Sequence, residues 1–164
     1  MEFKASLDTL AKIITISVII LFIFIGQIIV KQIMIAQGDA TTILIHSGII
    51  MMLVLIIIGC WLFAPKSYSI YGGDLIINRP VGNVKIKLSQ VTEAKVLNSS
   101  EMWGLIRTFG NGVLFGYCGK FYNSKRKHIT LYTTQRKNRV LIKTSHCKKI
   151  VISPDDRNMI EKLK

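Results

Sequence analysis

The chain is poor in the side chains that most enzymes rely on. Its 164 residues include three histidines, three cysteines and nine aspartates and glutamates. Cys60, Cys118 and Cys147 fit neither a Cys-x-x-Cys pair nor a mixed Cys/His zinc pattern. Spacing gives no support for a Cys118–Cys147 disulfide, and both read as free thiols of a reducing compartment. Residues 66–164 hold only His128, His146 and six acids, with no nucleophile–base arrangement. His146 and Cys147 are neighbours, so in a strand they point to opposite faces. No Gly-Lys-Ser/Thr phosphate loop is present. Gly110-x-Gly112-x-x-x-Gly116 has the outline of a dinucleotide loop, but an aromatic, strand-like segment follows it. The required helix and the acid about 20 residues further on are both missing, so these glycines are expected in turns and bulges. No internal repeat or low-complexity linker is found. No catalytic residue, cofactor or metal is expected, which excludes most enzyme classes.

Charge of either sign is missing from two long stretches. Residues 13–30 and 43–64, runs of 18 and 22 residues, contain no Asp, Glu, Lys or Arg. As helices rising about 1.5 Å per residue they extend roughly 27 Å and 33 Å. The hydrocarbon core of a bilayer is about 30 Å thick, so the expectation is a transmembrane hairpin over residues 13–65. The first run is longer than a signal-peptide core and no clean small-x-small site follows it, so it is expected to be retained. Pro65 ends the second run, lacking a backbone donor and restricting the residue before it. Trp61, Phe63 and Tyr68 gather there with Lys66, and are expected as anchors at the membrane–water boundary. Within the spans, Gln27 and His46 are expected at similar depth, close enough to hydrogen-bond. Gly26 and Gly48 also lie at similar depth, where small residues let helices approach. An intramembrane histidine is sometimes a proton or ligand site; its place near the outer boundary favours a structural role.

Lys4 and Lys12 precede the first run and Lys66 and Arg79 follow the second, whereas the connecting segment carries only Lys31. The positive-inside rule then expects both termini in the cytoplasm, residues 1–12 as a tail, and a multi-pass protein of the cell inner membrane.

The remaining charge is lopsided. Residues 1–65 are neutral overall, with three lysines against three acids, while residues 66–164 hold 19 Lys and Arg against 6 Asp and Glu. This part accounts for the full net charge of +13. Its basic groups are Lys120 with Lys125, Arg126, Lys127 and His128, then Arg136, Lys137 and Arg139, then Lys143, Lys148 and Lys149. Hairpin tips that cluster at one end would join them into a surface for anionic lipid or a partner. The plainer readings are solvated loops and charge that only sets topology. Aromatic neighbours Phe121, Tyr122 and Tyr132 keep nucleic acid as the alternative ligand. Arg107 either reaches an anion or a carboxylate such as Glu101, or pins its own irregular segment.

After Pro65 the hydropathy pattern switches to period two. Tyr68 and Ile70, Leu75 and Ile77, Val84 with Ile86 and Leu88, and residues 91–97 read as strands separated by Gly72-Gly73 and by Arg79-Pro80 with Gly82-Asn83. Residues 102–122 are rich in glycine and aromatics, with Asn111-Gly112 a good tight-turn pair. Ile129, Leu131 and Thr133, then residues 139–144 and 150–152, complete the series. Short strands with turns every 8–12 residues imply an antiparallel sandwich or barrel. Ser153, Pro154, Asp155 and Asp156 resemble a helix start, with Met159, Ile160 and Leu163 as an apolar stripe, so a C-terminal helix over 154–164 is expected.

The segment Ile106-Arg107-Thr108-Phe109-Gly110-Asn111-Gly112, with Leu114-Phe115-Gly116-Tyr117 and Gly119, resembles the bacterial pleckstrin-homology-like (PH) domains of small membrane proteins. The likeness resumes at Leu141-Ile142-Lys143-Thr144 and at residues 151–155. It implies a barrel of about seven antiparallel strands closed by a C-terminal helix, and a non-enzymatic binding role. Eukaryotic relatives hold inositol phosphates with cations flanking the first strand–strand loop. Here that loop, Tyr71-Gly72-Gly73-Asp74, has no basic residue, so that recognition does not carry over. The expected function is a membrane-anchored binding module at the inner face, engaging membrane lipid or a protein partner, with self-association left open. Its candidate contacts are Lys66, Arg107, Lys120, Lys125, Arg126, Lys127, Arg136, Lys137, Arg139, Lys148 and Lys149.

Overall fold

The computed structural model describes residues 1–35, 39–102, 104–123 and 127–163. Helix α1 spans Thr9–Ile35 and α2 spans Ala40–Leu62. Asp39 caps α2, its carboxylate accepting from the backbone N–H groups of Thr41 and Thr42 and from the Thr42 hydroxyl. These bonds hold the carboxyl below its ordinary value. Both helices are long and apolar enough to cross a membrane, and they bury little of themselves. Ile20, Phe24, Leu44 and Met51 are more than half exposed. A helix in the core of a soluble protein hides such a surface, and these two do not.

The expected pairing within the helices is not what forms. His46 Nδ1 lies 2.8 Å from the Thr42 carbonyl oxygen of its own helix. Gln27 is exposed on a face of α1 shared with Ile23, Val30 and Lys31. A Cβ added at Gly26 or Gly48 would meet nothing within 4 Å, so neither glycine marks a close helix approach.

Among the described residues, ten strands follow or precede the helices: β1 (Glu2–Lys4), β2 (Ser67–Tyr71), β3 (Asp74–Asn78), β4 (Val84–Lys87), β5 (Val91–Val96), β6 (Ile106–Asn111), β7 (Tyr117–Asn123), β8 (Lys127–Thr133), β9 (Val140–Thr144) and β10 (Lys149–Ile152). They form two open sheets, in the orders β1-β2-β3-β4 and β5-β9-β10-β8-β7-β6. Three expectations are corrected here. The strands do not close into a barrel, because β4 and β5 belong to different sheets among the described residues. The pairing is not wholly antiparallel, since β10 runs parallel to β8. The α-helix expected over 154–164 does not form among the described residues, and a short 3-10 segment, Arg157–Leu163, follows β10. Its start signals are used elsewhere. Ser153 Oγ accepts from the Thr134 and Gln135 backbone N–H groups at 2.9 and 3.3 Å, and Asp155 accepts from Ser6. Met159 and Ile160 of the expected stripe still dock on the core, Met159 fully buried.

Period-two alternation builds the core on both faces of the larger sheet. Val140, Ile142, Ile150 and Ile152 pack with Tyr68, Leu75, Ile77 and Ile86 of the smaller sheet. Leu141 and Val151, one residue out of phase, join Leu97, Phe121, Ile129 and Leu131 on the opposite side. Tyr68 is therefore a core residue and not a boundary anchor. It is 0% exposed, its hydroxyl donates to the Tyr132 carbonyl at 2.7 Å, and it accepts from the Ser153 N–H at 3.1 Å. The inward phase of β2 puts it there.

The segment before α1 is not a free tail. Strand β1 extends the smaller sheet by pairing antiparallel with β2, Glu2 opposite Ser69 and Lys4 opposite Ser67. No hydropathy signal marks so short a strand.

Candidate functional site

The two helices enter and leave the strand domain at fixed points. At the start of α1, Asp8 caps the helix by accepting from the Ala11 N–H at 2.8 Å. The same carboxylate accepts from the Arg136 N–H at 3.2 Å and the Tyr117 hydroxyl at 3.3 Å, while the Asp8 N–H donates to the Thr134 carbonyl. Further along, Thr15 Oγ1 accepts from the Phe115 N–H at 3.1 Å. At the end of α2, Ala64 and Pro65 are buried and the Val81 N–H donates to the Leu62 carbonyl at 3.2 Å. The helix pair and the domain are clamped at both crossings, with β1 and β2 on the same side of the pair.

Cations and aromatic rings collect at these crossings. Lys66 Nζ stands 5.0 Å from the Trp61 ring centre. The Arg79 guanidinium lies between Phe63 and Tyr132, 5.8 and 5.5 Å from their ring centres. Arg136 and Arg139 approach the Tyr117 ring at 5.8 and 5.5 Å. Each such pair contributes about 0.5–2 kcal/mol, more as water is excluded. Burial raises the Tyr117 hydroxyl above its ordinary value and lowers Arg139. Trp61 and Phe63 are 44% and 54% exposed, as boundary residues would be.

The remaining basic groups do not share one end. Strand register puts the 112–116 and 134–139 connections at the end of the larger sheet that meets α1. Lys127 and the 145–148 turn lie at the opposite end. Arg136, Lys137 and Arg139 are thus separated from Lys127, Lys148 and Lys149. The latter end has a depression of about 570 Å³ lined by Lys127, His128, Lys143 and Lys149, with Cys147 exposed in the turn. Lys143 is paired there with Glu93 at 2.6 Å. Lys125 and Arg126 lie outside the described residues. Arg107 rests on Gly112, where an added Cβ would come within 2.5 Å of its Nη1. Glu101 instead takes Lys95 at 3.2 Å and the Asn98 N–H at 3.1 Å.

The motif segment builds one wall of a cavity at this junction. Gly110 stands opposite Gly119 across β6 and β7. Their φ angles are +115° and +137°, and a Cβ on either would collide with the backbone of the facing strand. Only glycine allows this approach. Asn111 closes the turn beyond, accepting from the Val113 and Leu114 N–H groups. On β7 and β8 the register sets Cys118 opposite Tyr132 and Lys120 opposite Thr130, all on the face away from Phe121, Ile129 and Leu131. That face looks at the last turn of α2. Between them lies a cavity of about 490 Å³, lined by Gly59, Cys60 and Phe63 of α2 and by Arg79, Phe109 and Lys120 among others. Burial, partly offset by the Arg79 charge, pushes the Cys118 thiol up to about 12. The cavity was not foreseen from sequence. The signal available was the Gly110/Gly119 spacing together with a second span that ends in Gly-Cys-Trp-Leu-Phe.

No group of three or more His, Cys, Asp or Glu side chains that would hold a metal occurs among the described residues. A family model described as bacterial PH domain matches residues 66–164. No curated protein matches the chain, and no solved structure matches it.

Proposed function

Because the chain belongs to the bacterial PH domain family, we propose that it is a membrane-anchored, non-enzymatic binding module whose domain engages anionic lipid at the inner face of the membrane. PH domains are generally binding modules, and fold alone leaves the ligand open. The observation that carries the lipid reading is the clamp at both crossings. It ties Lys66, Arg79, Arg136 and Arg139 to the ends of the two apolar helices, where phosphate headgroups lie if those helices span a bilayer. A cation near an anionic surface contributes about 1 kcal/mol. The excess of lysine on the domain side over the lone Lys31 of the connecting segment supports an inner-membrane orientation with both termini cytoplasmic.

The test uses the full chain in lipid nanodiscs. With anionic phospholipid, hydrogen exchange in residues 79–83 and 134–139 should slow relative to neutral phosphatidylcholine discs, and raised salt should reverse the effect. Equal exchange in both discs rejects the lipid reading and leaves a protein partner, sought by co-purification from native membranes.

A second reading has one observation in its favour. The basic depression at the far end of the larger sheet, with Lys127, His128 and Lys149, faces away from the clamped crossings. It suits a nucleic acid better than a headgroup. Single-stranded RNA binding with a steep salt slope would support it.

A further inference from the structure

We propose that the cavity between α2 and the outer face of β6–β8 holds one anionic phospholipid from the surrounding bilayer, its phosphate at Arg79 and Lys120 and its acyl chain along Phe63 and Phe109. The inference rests on the membrane reading above and names a specific bound molecule in addition to a charged surface.

Three observations point to an amphiphile. First, apolar and cationic groups line the cavity side by side, Phe109 standing opposite Lys120 in the strand register. Phe63, Phe109 and the bare glycine backbone give it an apolar wall, and a volume of about 490 Å³ falls in the range of small-molecule sites. Second, its charge is of one sign. Arg79 and Lys120 line it, and no Asp or Glu does. Arg79 donates to the Gly82 carbonyl from Nε at 2.7 Å and from Nη2, stacks on two rings, and has no carboxylate partner among the described residues. The Lys120 ammonium has no ion-pair partner among the described residues. Both cations line the same cavity, and a phosphate there accepts from both at once. Third, Gly59 is a helical glycine that neither backbone conformation nor packing requires. It has no positive φ, and a Cβ added there would meet nothing within 4 Å. Glycine inside a helix costs about 1 kcal/mol relative to alanine. Its effect here is to keep one wall of the cavity clear.

Continuity with the helix surface decides between a lipid and a soluble phosphate compound. Phe63 lies in the cavity wall and is 54% exposed. The apolar wall thus joins the outer surface of α2, so an acyl chain can enter sideways from the bilayer. A soluble anion has no use for that wall.

Native mass spectrometry of the full chain, extracted in mild detergent, tests the proposal. The expected result is one retained phospholipid per chain, enriched in anionic classes over the membrane from which it came. Gly59→Phe adds bulk at a cavity wall where a Cβ meets nothing within 4 Å, and should lower retention at least about tenfold. Lys120→Gln changes an exposed side chain and should lower the anionic-to-neutral ratio by about tenfold, the loss of one charge-assisted bond. Wild-type protein that retains no lipid overturns the proposal, as does retention unchanged by Gly59→Phe. A peptide or a second chain found in place of lipid overturns it also. If anionic nanodiscs still protect residues 79–83 and 134–139 in such a case, the general lipid reading stands and only the cavity assignment falls. If that protection is missing as well, both fall.

Discussion

Cys118 shows how a single side chain reports the state of the junction. It is 7% exposed, on the cavity face of β7, whereas Cys147 is exposed in a turn at the other end of the sheet. Only a thiolate is a good nucleophile, and burial pushes the Cys118 thiol from an ordinary 9.0 up to about 12. At pH 8 a maleimide should therefore modify Cys147 and leave Cys118 untouched until the domain unfolds. The sign of the stability effect follows from the raised value. Below pH 9 the thiol is neutral in both states and adds no pH dependence. Between pH 9 and 12 the unfolded chain loses the proton that the folded chain keeps, so stability falls by up to about 1.4 kcal/mol per pH unit for this group. Peptide-resolved labelling across pH checks both statements. Equal labelling of Cys118 and Cys147 at pH 8 in folded protein would sink them. None of this is legible in the sequence, where Cys118 is one of three unpatterned cysteines. Tyr68 shows the same limit from the other side. A tyrosine three residues past a proline at the end of an apolar run looks like a boundary anchor, and only the phase of β2 turns it inward.

At the level of elements, long apolar runs and period-two alternation survive, and short local signals such as the helix start at Ser153 do not. The two charge-free runs became α1 and α2, each extended at its N-terminal end because Asp8 and Asp39 cap them ahead of the apolar stretch. The alternating segments became strands. Lys85 and Lys87 stay exposed around buried Ile86, as alternation requires. The parallel pairing of β10 with β8 was not legible, since alternation marks faces and says nothing of neighbours. Asp8 was not legible either, because its partners Arg136, Tyr117 and Thr134 lie more than a hundred residues away. It couples an element to the domain, so its replacement should be felt there. Asp8→Ala removes the cap of α1 and the acceptor for Arg136 and Tyr117, and should cost about 1–2 kcal/mol. Hydrogen exchange should rise in residues 8–12 and 134–137 together, with little change in β3 and β4. Exchange that rises only within α1 would show that the cap is local and the clamp is held by something else.

Across the whole molecule, the domain is not confined to the residues that the family model covers. Residues 66–164 supply β2 to β10, but the outer edge of β2 is covered by β1, from the far side of both helices. Backbone bonds run from the Ile70 N–H to the Met1 carbonyl and from the Asp155 N–H to the Lys4 carbonyl, and Ser6 donates to Asp155 at 2.6 Å. A fragment beginning at Lys66 therefore leaves Ser67–Tyr71 as an open strand edge beside the core tyrosine, Tyr68. Open edges recruit other strands, so this fragment should associate or precipitate. Restoring β1 should cure it without restoring the helices. A chain with residues 1–8 joined to residue 66 through a flexible Gly/Ser linker, in place of α1 and α2, should be monomeric and melt several degrees higher than the bare fragment. A strand of three residues adds only a few kcal/mol, but in a domain of about 100 residues 1 kcal/mol moves the melting temperature by roughly 4–8 °C. Light scattering and thermal melts of the two proteins decide the matter. If the bare fragment is as monomeric and as stable as the linked one, β1 merely rests on the sheet. If it is not, the segment before the first helix is as much a part of the domain as the strands that follow the second.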